Sequence, residues 1–154
     1  MGNSCDTCVK DDRLTVEVKG RPANGEGSTV ASENNGSQKL TWPDGSLYEG
    51  DVKHGTMHGE GVYLWPNGDS YAGDWREGKR HGKGVFEFNG RFKYTGEFNN
   101  DEIQGFGKIN INGMTAYEGN FFKGQQHGPG TAYSVEHGIV KKLKGTWSYG
   151  QYIG

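Results

Sequence analysis

The chain has 154 residues with a net charge of −2; 31% of them are hydrophobic and 28 are glycine. An ordinary two-layer domain of this size needs more apolar residues for its core, whereas 8 Tyr, 7 Phe and 4 Trp are too many for a disordered chain. A thin sheet with one buried face satisfies both limits; interspersed charges of both signs exclude the basic stripe of a nucleic-acid partner, and no apolar run reaches the roughly 20 residues of a membrane-spanning helix.

The first segment, residues 1–10, reads as a leader. Met1-Gly2-Asn3-Ser4-Cys5 resembles an N-myristoylation site, with Gly2 as acceptor, although Asp6 stands where Ser or Thr is the rule. One myristoyl chain holds a membrane only marginally, so Cys5 and Cys8 are expected to supply the second signal by palmitoylation. Two cysteines near the start make no disulfide framework and point to a reducing, cytosolic setting. A zinc site would need further ligands, and a redox pair would need a helix beside a βαβ unit. Residues 11–39 have linker composition, with Leu14-Thr15-Val16-Glu17-Val18 as a candidate short strand. As a flexible coil this segment reaches roughly 30 Å.

A repeat begins at residue 40. Tyr48, Tyr71, Tyr94 and Tyr117 each open the same phrase: Tyr48-Glu-Gly-Asp-Val52, Tyr71-Ala-Gly-Asp-Trp75, Tyr94-Thr-Gly-Glu-Phe98 and Tyr117-Glu-Gly-Asn-Phe121. Ten residues after each tyrosine stands His58, His81, Gln104 or His127, followed by a Gly-x-Gly. A second turn follows at Asn67-Gly68, Asn89-Gly90 and Asn112-Gly113. Trp42-Pro-Asp-Gly45 matches Trp65-Pro-Asn-Gly68, so a half unit lies at 40–47 ahead of full units at 48–70, 71–93, 94–116 and 117–142. An insertion near 135–142 delays the last opening, Leu143-Lys-Gly-Thr-Trp147, where Leu143 replaces the tyrosine of a truncated unit at 143–154.

Within a unit Tyr71, Gly73 and Trp75 share a parity, which is the alternation of a strand with one apolar face. The stretch Glu77–Gly82 reads as a turn and Gly84 to Phe88 as the return strand. Asn-Gly pairs suit hairpin turns because both central residues of a type I′ turn need positive φ. The expected fold is therefore all-β: an elongated single-layer antiparallel sheet of tandem 23-residue hairpins behind a disordered N-terminal tail. Gly50, Gly73, Gly96 and Gly119 lie on the aromatic face, where their missing side chains would let a neighbouring strand's ring lie flat.

The phrase Tyr-x-Gly-[Asp/Glu/Asn]-Φ…Gly-x-x-His-Gly-x-Gly resembles the MORN (membrane occupation and recognition nexus) repeat over about residues 40–154. The resemblance implies the same twisted or curved single-layer sheet. It also implies a role as scaffold, membrane-to-cytoskeleton link or targeting module, with phosphoinositide binding or docking of a partner's helix in some members. This chain departs from the pattern at Gln104, at Asn99-Asn100-Asp101 where glycine is the rule, and in its long fourth unit.

Chemistry is otherwise scarce. The histidines at 58, 81 and 127 share one repeat slot and are expected to brace turns, and His54 and His137 are turn or loop residues; there is no metal-ligand spacing among them. The Gly-x-Gly pairs precede strands, not helix N-termini, so they are not phosphate loops. Neither catalytic residues nor a cofactor is expected. Lys141-Lys142-x-Lys144 reads as a solvated edge that discourages sheet-to-sheet aggregation, with weak contact to anionic lipid as the alternative. The expected partner surface is the aromatic face, lined by Tyr48, Tyr71, Trp75, Tyr94, Phe98, Tyr117 and Phe121.

The resulting expectation is a non-enzymatic adaptor that binds a protein partner, a helix or cytoskeletal component, through its sheet. It would be tethered to the cytoplasmic face of a membrane through Gly2, Cys5 and Cys8. The alternatives are a structural part of a cytoskeletal or ciliary assembly and a targeting subunit of a separate lipid-modifying enzyme.

Overall fold

The computed structural model describes residues 35–154. The leader, with Gly2, Cys5 and Cys8, and the strand expected at Leu14–Val18 lie outside the described residues. The described chain forms eleven strands: β1 (Gly36–Thr41), β2 (Leu47–Lys53), β3 (Thr56–Leu64), β4 (Ser70–Arg76), β5 (Lys79–Phe88), β6 (Phe92–Asn99), β7 (Glu102–Ile111), β8 (Met114–Phe122), β9 (Gln125–Glu136), β10 (Ile139–Ser148) and β11 (Gln151–Tyr152). They make one open antiparallel sheet in strict sequence order. At about 4.8 Å per strand spacing, the sheet extends roughly 48 Å from β1 to β11. β1 starts at Gly36, so the sheet takes in the last residues of the segment expected as linker.

Turn chemistry explains why the strands fall where they do. Two-residue turns with both φ positive stand at His54-Gly55, Glu77-Gly78, Lys123-Gly124, His137-Gly138 and Tyr149-Gly150, as well as at the expected Asn112-Gly113; the expected Asn89-Gly90 also has both φ positive but belongs to a three-residue loop completed by Arg91. Such turns match the twist of the flanking strands. Asn67-Gly68 differs, because Pro66 precedes it: only Gly68 has positive φ. The loop is closed by bonds from Gly68 N to Trp65 O and from Trp65 N to Asp69 O, both 3.0 Å. Asn100-Asp101, the departure from the glycine pattern, makes the same turn with φ of 49° and 72°. Asn and Asp tolerate the left-handed region better than other side chains.

The turn expected over Glu77–Gly82 occupies only Glu77-Gly78, and β5 resumes at Lys79. Gly82 is instead part of a β-bulge. The register pairs Gly73 with Gly84 and Trp75 with Arg80, so Asp74 faces the extra residues of β5. Gly82 has φ of 61°, and a Cβ there would lie 2.3 Å from Asp74 Oδ2. The carboxylate has a use: Asp74 Oδ2 accepts from Lys83 N at 2.8 Å, and Asp51 Oδ2 from Glu60 N at 3.4 Å. In the fourth unit the corresponding position is Pro129, which has no N–H to give. There Asn120 replaces the acid and donates from Nδ2 to Pro129 O at 3.2 Å.

The aromatic rings are ordered by the glycines, though not by the strand expected. Each tyrosine lies along its own strand, over the glycine two residues on and that glycine's cross-strand partner. A Cβ on Gly84 would sit 2.5 Å from the Tyr71 ring, and one on Gly61 2.4 Å from that of Tyr48. The hydroxyls then reach a carbonyl three residues ahead: Tyr48 Oη donates to Asp51 O at 2.7 Å, and Tyr71 Oη to Asp74 O at 3.0 Å. Where Leu143 lacks a ring, Tyr152 of β11 covers Gly145 from the other side, 2.5 Å from a Cβ there.

Candidate functional site

The seven aromatics expected to line a partner surface do not line one. Tyr48, Tyr71, Trp75, Tyr94, Phe98, Tyr117 and Phe121 are between 0% and 3% exposed and form the core. Lying flat against paired glycines removes one side of each tyrosine from water, and the next unit's aromatic seals the edge. The result is a continuous row, Tyr48–Trp75–Tyr71–Phe98–Tyr94–Phe121–Tyr117–Trp147, with centroids 5.0–5.5 Å apart and planes at 81–90°. Edge-to-face pairs of this kind contribute about 0.5–1.5 kcal/mol each beyond their burial. One face of the sheet is thus committed to holding the sheet together.

Burial acts first among the causes that raise the phenol pKa values of this row. It pushes Tyr117 up to about 12 and raises those of Tyr48, Tyr71 and Tyr94 further. In the unfolded chain tyrosine titrates near 10. The folded state therefore holds these protons more tightly, so stability is full below about pH 10 and falls as pH rises through 12. The expected result is one cooperative alkaline transition, with tyrosinate absorbance rising together with loss of the β-sheet circular dichroism. Ionisation of all four at about pH 10 in protein that stays folded would contradict the burial.

A second feature escaped the sequence. In the slot occupied by Met57, Ile103 and Gln126 in the other units stands Arg80, paired across the strand with Trp75. Arg80 is 1% exposed, with its guanidinium 5.6–6.0 Å from the ring centroids of Trp65, Tyr71, Phe86 and Phe98. Asp101 supplies the counter-charge: Arg80 Nε donates to its Oδ1 at 3.1 Å and Nη2 to its carbonyl at 3.2 Å. Burial lowers the Arg80 pKa from its ordinary value, and Asp101 acts the other way.

The opposite face is open and mixed in character, with Val62, Leu64 and Phe122 partly exposed among polar side chains. A groove on it is lined by Asp51, His58, Glu60, Asp74, Arg76 and His81. Among the described residues no group of three or more His, Cys, Asp or Glu could hold a metal ion, and no helix is long and apolar enough to cross a membrane. His54 and His137 are turn residues with positive φ. The His127 ring lies 5.7 Å from Phe122 and 4.9 Å from Tyr149, a brace between neighbouring turns. Phe106 is 51% exposed on this face.

The last long strand is the other open element. β10 pairs with β9 from Ile139 to Trp147, but β11 pairs only with Trp147 and Ser148. Thr146 also bonds across to Gly154 and Ile153. Residues 139–145 therefore have no strand on their outer side among the described residues. This edge holds Lys141, Lys142 and Lys144 with Ile139, Val140 and Leu143 at 66%, 57% and 38% exposure. Lys141 is ion-paired with Glu136, and Lys142 Nζ lies 5.7 Å from the Tyr133 ring centroid.

A family model described as the MORN repeat matches residues 48–70, 71–90, 94–109 and 117–137, together more than half of the chain. Each match starts at one of the four phrase-opening tyrosines. No curated protein matches the chain. The family is in general a non-catalytic module for contacts with proteins or membranes. The repeat phrase, its hairpin geometry and the fourfold match agree: the chain belongs to the MORN repeat family.

Proposed function

We propose that this protein is a non-enzymatic, membrane-tethered scaffold that holds a protein partner on its MORN sheet. The supporting observation is the division of labour between the faces. The aromatic face is consumed in the ring row, while the opposite face and the edge of β10 stay open along a sheet of roughly 48 Å. A broad surface without an enclosed cleft suits contact with a macromolecule better than chemistry on a small substrate. The tether rests on the sequence alone: Gly2 as myristate acceptor, and Cys5 or Cys8 as the second acyl site that stable anchoring requires.

Fractionation tests the tether. Wild-type protein is expected in the membrane fraction, with one or two acyl chains in its intact mass, and Gly2→Ala in the soluble fraction. A Gly2→Ala protein that stays on membranes would end the anchor reading. Retention in a detergent-resistant cytoskeleton, with a native N-terminus of unmodified mass, would favour the structural role. Co-purifying lipid-modifying activity that the recombinant chain lacks would favour the targeting subunit.

A further inference from the structure

We infer that the outer edge of β10, residues Ile139–Gly145, is a docking site for an extended acidic segment of a partner protein, which adds to the sheet as a further antiparallel strand. This rests on the scaffold reading and assigns it a place and a chemistry. Thr146 uses both its N–H and its C=O on the outer side, toward Gly154 and Ile153. The β9–β10 register runs without a bulge. Antiparallel ladders alternate with period two, so the outward-facing backbone groups on this stretch belong to Val140, Lys142 and Lys144. These are the donors and acceptors that strand addition uses, with side-chain pockets and charges giving specificity.

Charge selects the occupant. Lys142 and Lys144 project on the same face as Val140, and Ile139, Lys141 and Leu143 on the other. A second copy of β10 laid antiparallel on this edge would bring lysines opposite lysines, and like charges directly opposite destabilise a pair. A segment alternating apolar and acidic residues would instead set carboxylates against Lys142 and Lys144. Its apolar residues would cover Ile139 and Leu143 on the other face, which are more exposed than their size favours. Lysines on an edge also discourage unselected pairing, so the same residues would reject neutral or basic strands.

The test uses full-length protein and a blocked eight-residue peptide alternating valine and glutamate. A peptide with proline in place of each valine serves as the control for charge without strand-forming ability. The alternating peptide is expected to bind, to lose affinity with added salt, and to slow amide exchange at Val140, Lys142 and Lys144. Lys142→Pro removes one outward N–H and leaves the β9 ladder intact. It should cut affinity at least tenfold, against a severalfold loss for Lys142→Gln, which keeps the N–H and removes the charge. Equal binding of the proline peptide, unchanged exchange at the three amides, or no binding would overturn the proposal. So would a concentration-dependent dimer of the free protein that protects the same amides, since the edge would then belong to a second copy. In cells, Lys142→Pro that retains its partners on a correctly localised protein would sink the edge site while leaving the scaffold reading standing.

Discussion

Gly73→Val should lower stability by about 3 kcal/mol or more, at the upper end of what overpacking costs. In thermal unfolding this corresponds to a drop of roughly 10 °C for a domain of this size. A Cβ at Gly73 would meet Lys83 O at 2.4 Å and Gly84 Cα at 2.5 Å, and the Tyr71 hydroxyl at 2.8 Å. The first two are backbone atoms of the neighbouring strand and have no rotamer to escape into. β4 and β5 would have to separate at the point where Gly73 pairs with Gly84, and the Tyr71 ring would lose the flat seat on which its contacts with Trp75 and Phe98 depend. Ala72→Val is the matched control. Ala72 points to the open face, and a surface change of that kind stays within about 0.5 kcal/mol. Equal unfolding temperatures for Gly73→Val and Ala72→Val would show that the sheet tolerates a side chain at the seat and would remove the packing model.

The same local geometry explains what could be read from the sequence. A tyrosine every 23 residues, a glycine two positions on and a positive-φ pair in the turn are each imposed by neighbours within one hairpin, so they recur and are visible. Even the exception follows the rule. Gln38 stands 23 residues before Gly61, and the position 23 residues before Tyr48 is Gly25; with no ring at that place in the frame, no glycine is needed beneath it. Two features were misread because sequence alone does not separate alternatives with the same residues. Gly82 has turn chemistry, but it serves a bulge whose second requirement, the Asp74 carboxylate eight residues earlier, shows only in the fold. The aromatic face was expected to be exposed because a single layer was assumed to leave it open. A ring lying along its own strand over two glycines is covered from below, however, and edge-on contact with the next unit covers its rim.

The pair Arg80–Asp101 was hidden for a different reason, and it sets up the second large effect: Asp101→Gly should destabilise by about 3–5 kcal/mol, the loss typical when one partner of a buried ion pair is removed. Read singly, Arg80 looked like a turn residue and Asp101 like a lost glycine. They are one unit apart and touch because every unit repeats one contact: Gly78 N donates to Met57 O, Asp101 N to Arg80 O and Gly124 N to Ile103 O, at 2.9, 3.0 and 2.9 Å. Two departures that fall on the two ends of a recurrent contact are therefore one compensated change. Glycine is the right replacement for the test, because φ of 72° suits it better than aspartate, so the turn is preserved and only the counter-charge is lost. Arg80 would then be left 1% exposed among four rings without its carboxylate. Arg80→Met should be neutral or stabilising, since well-packed apolar residues commonly match or exceed a buried pair, Met57 already fills the equivalent slot, and Asp101 is 17% exposed and can turn to water. The double variant should return to wild-type stability or above it, so a urea-denaturation double-mutant cycle would show strong coupling of the two sites. If Asp101→Gly is as stable as wild type, the guanidinium does not need its partner, and the aromatic box alone must be holding the charge.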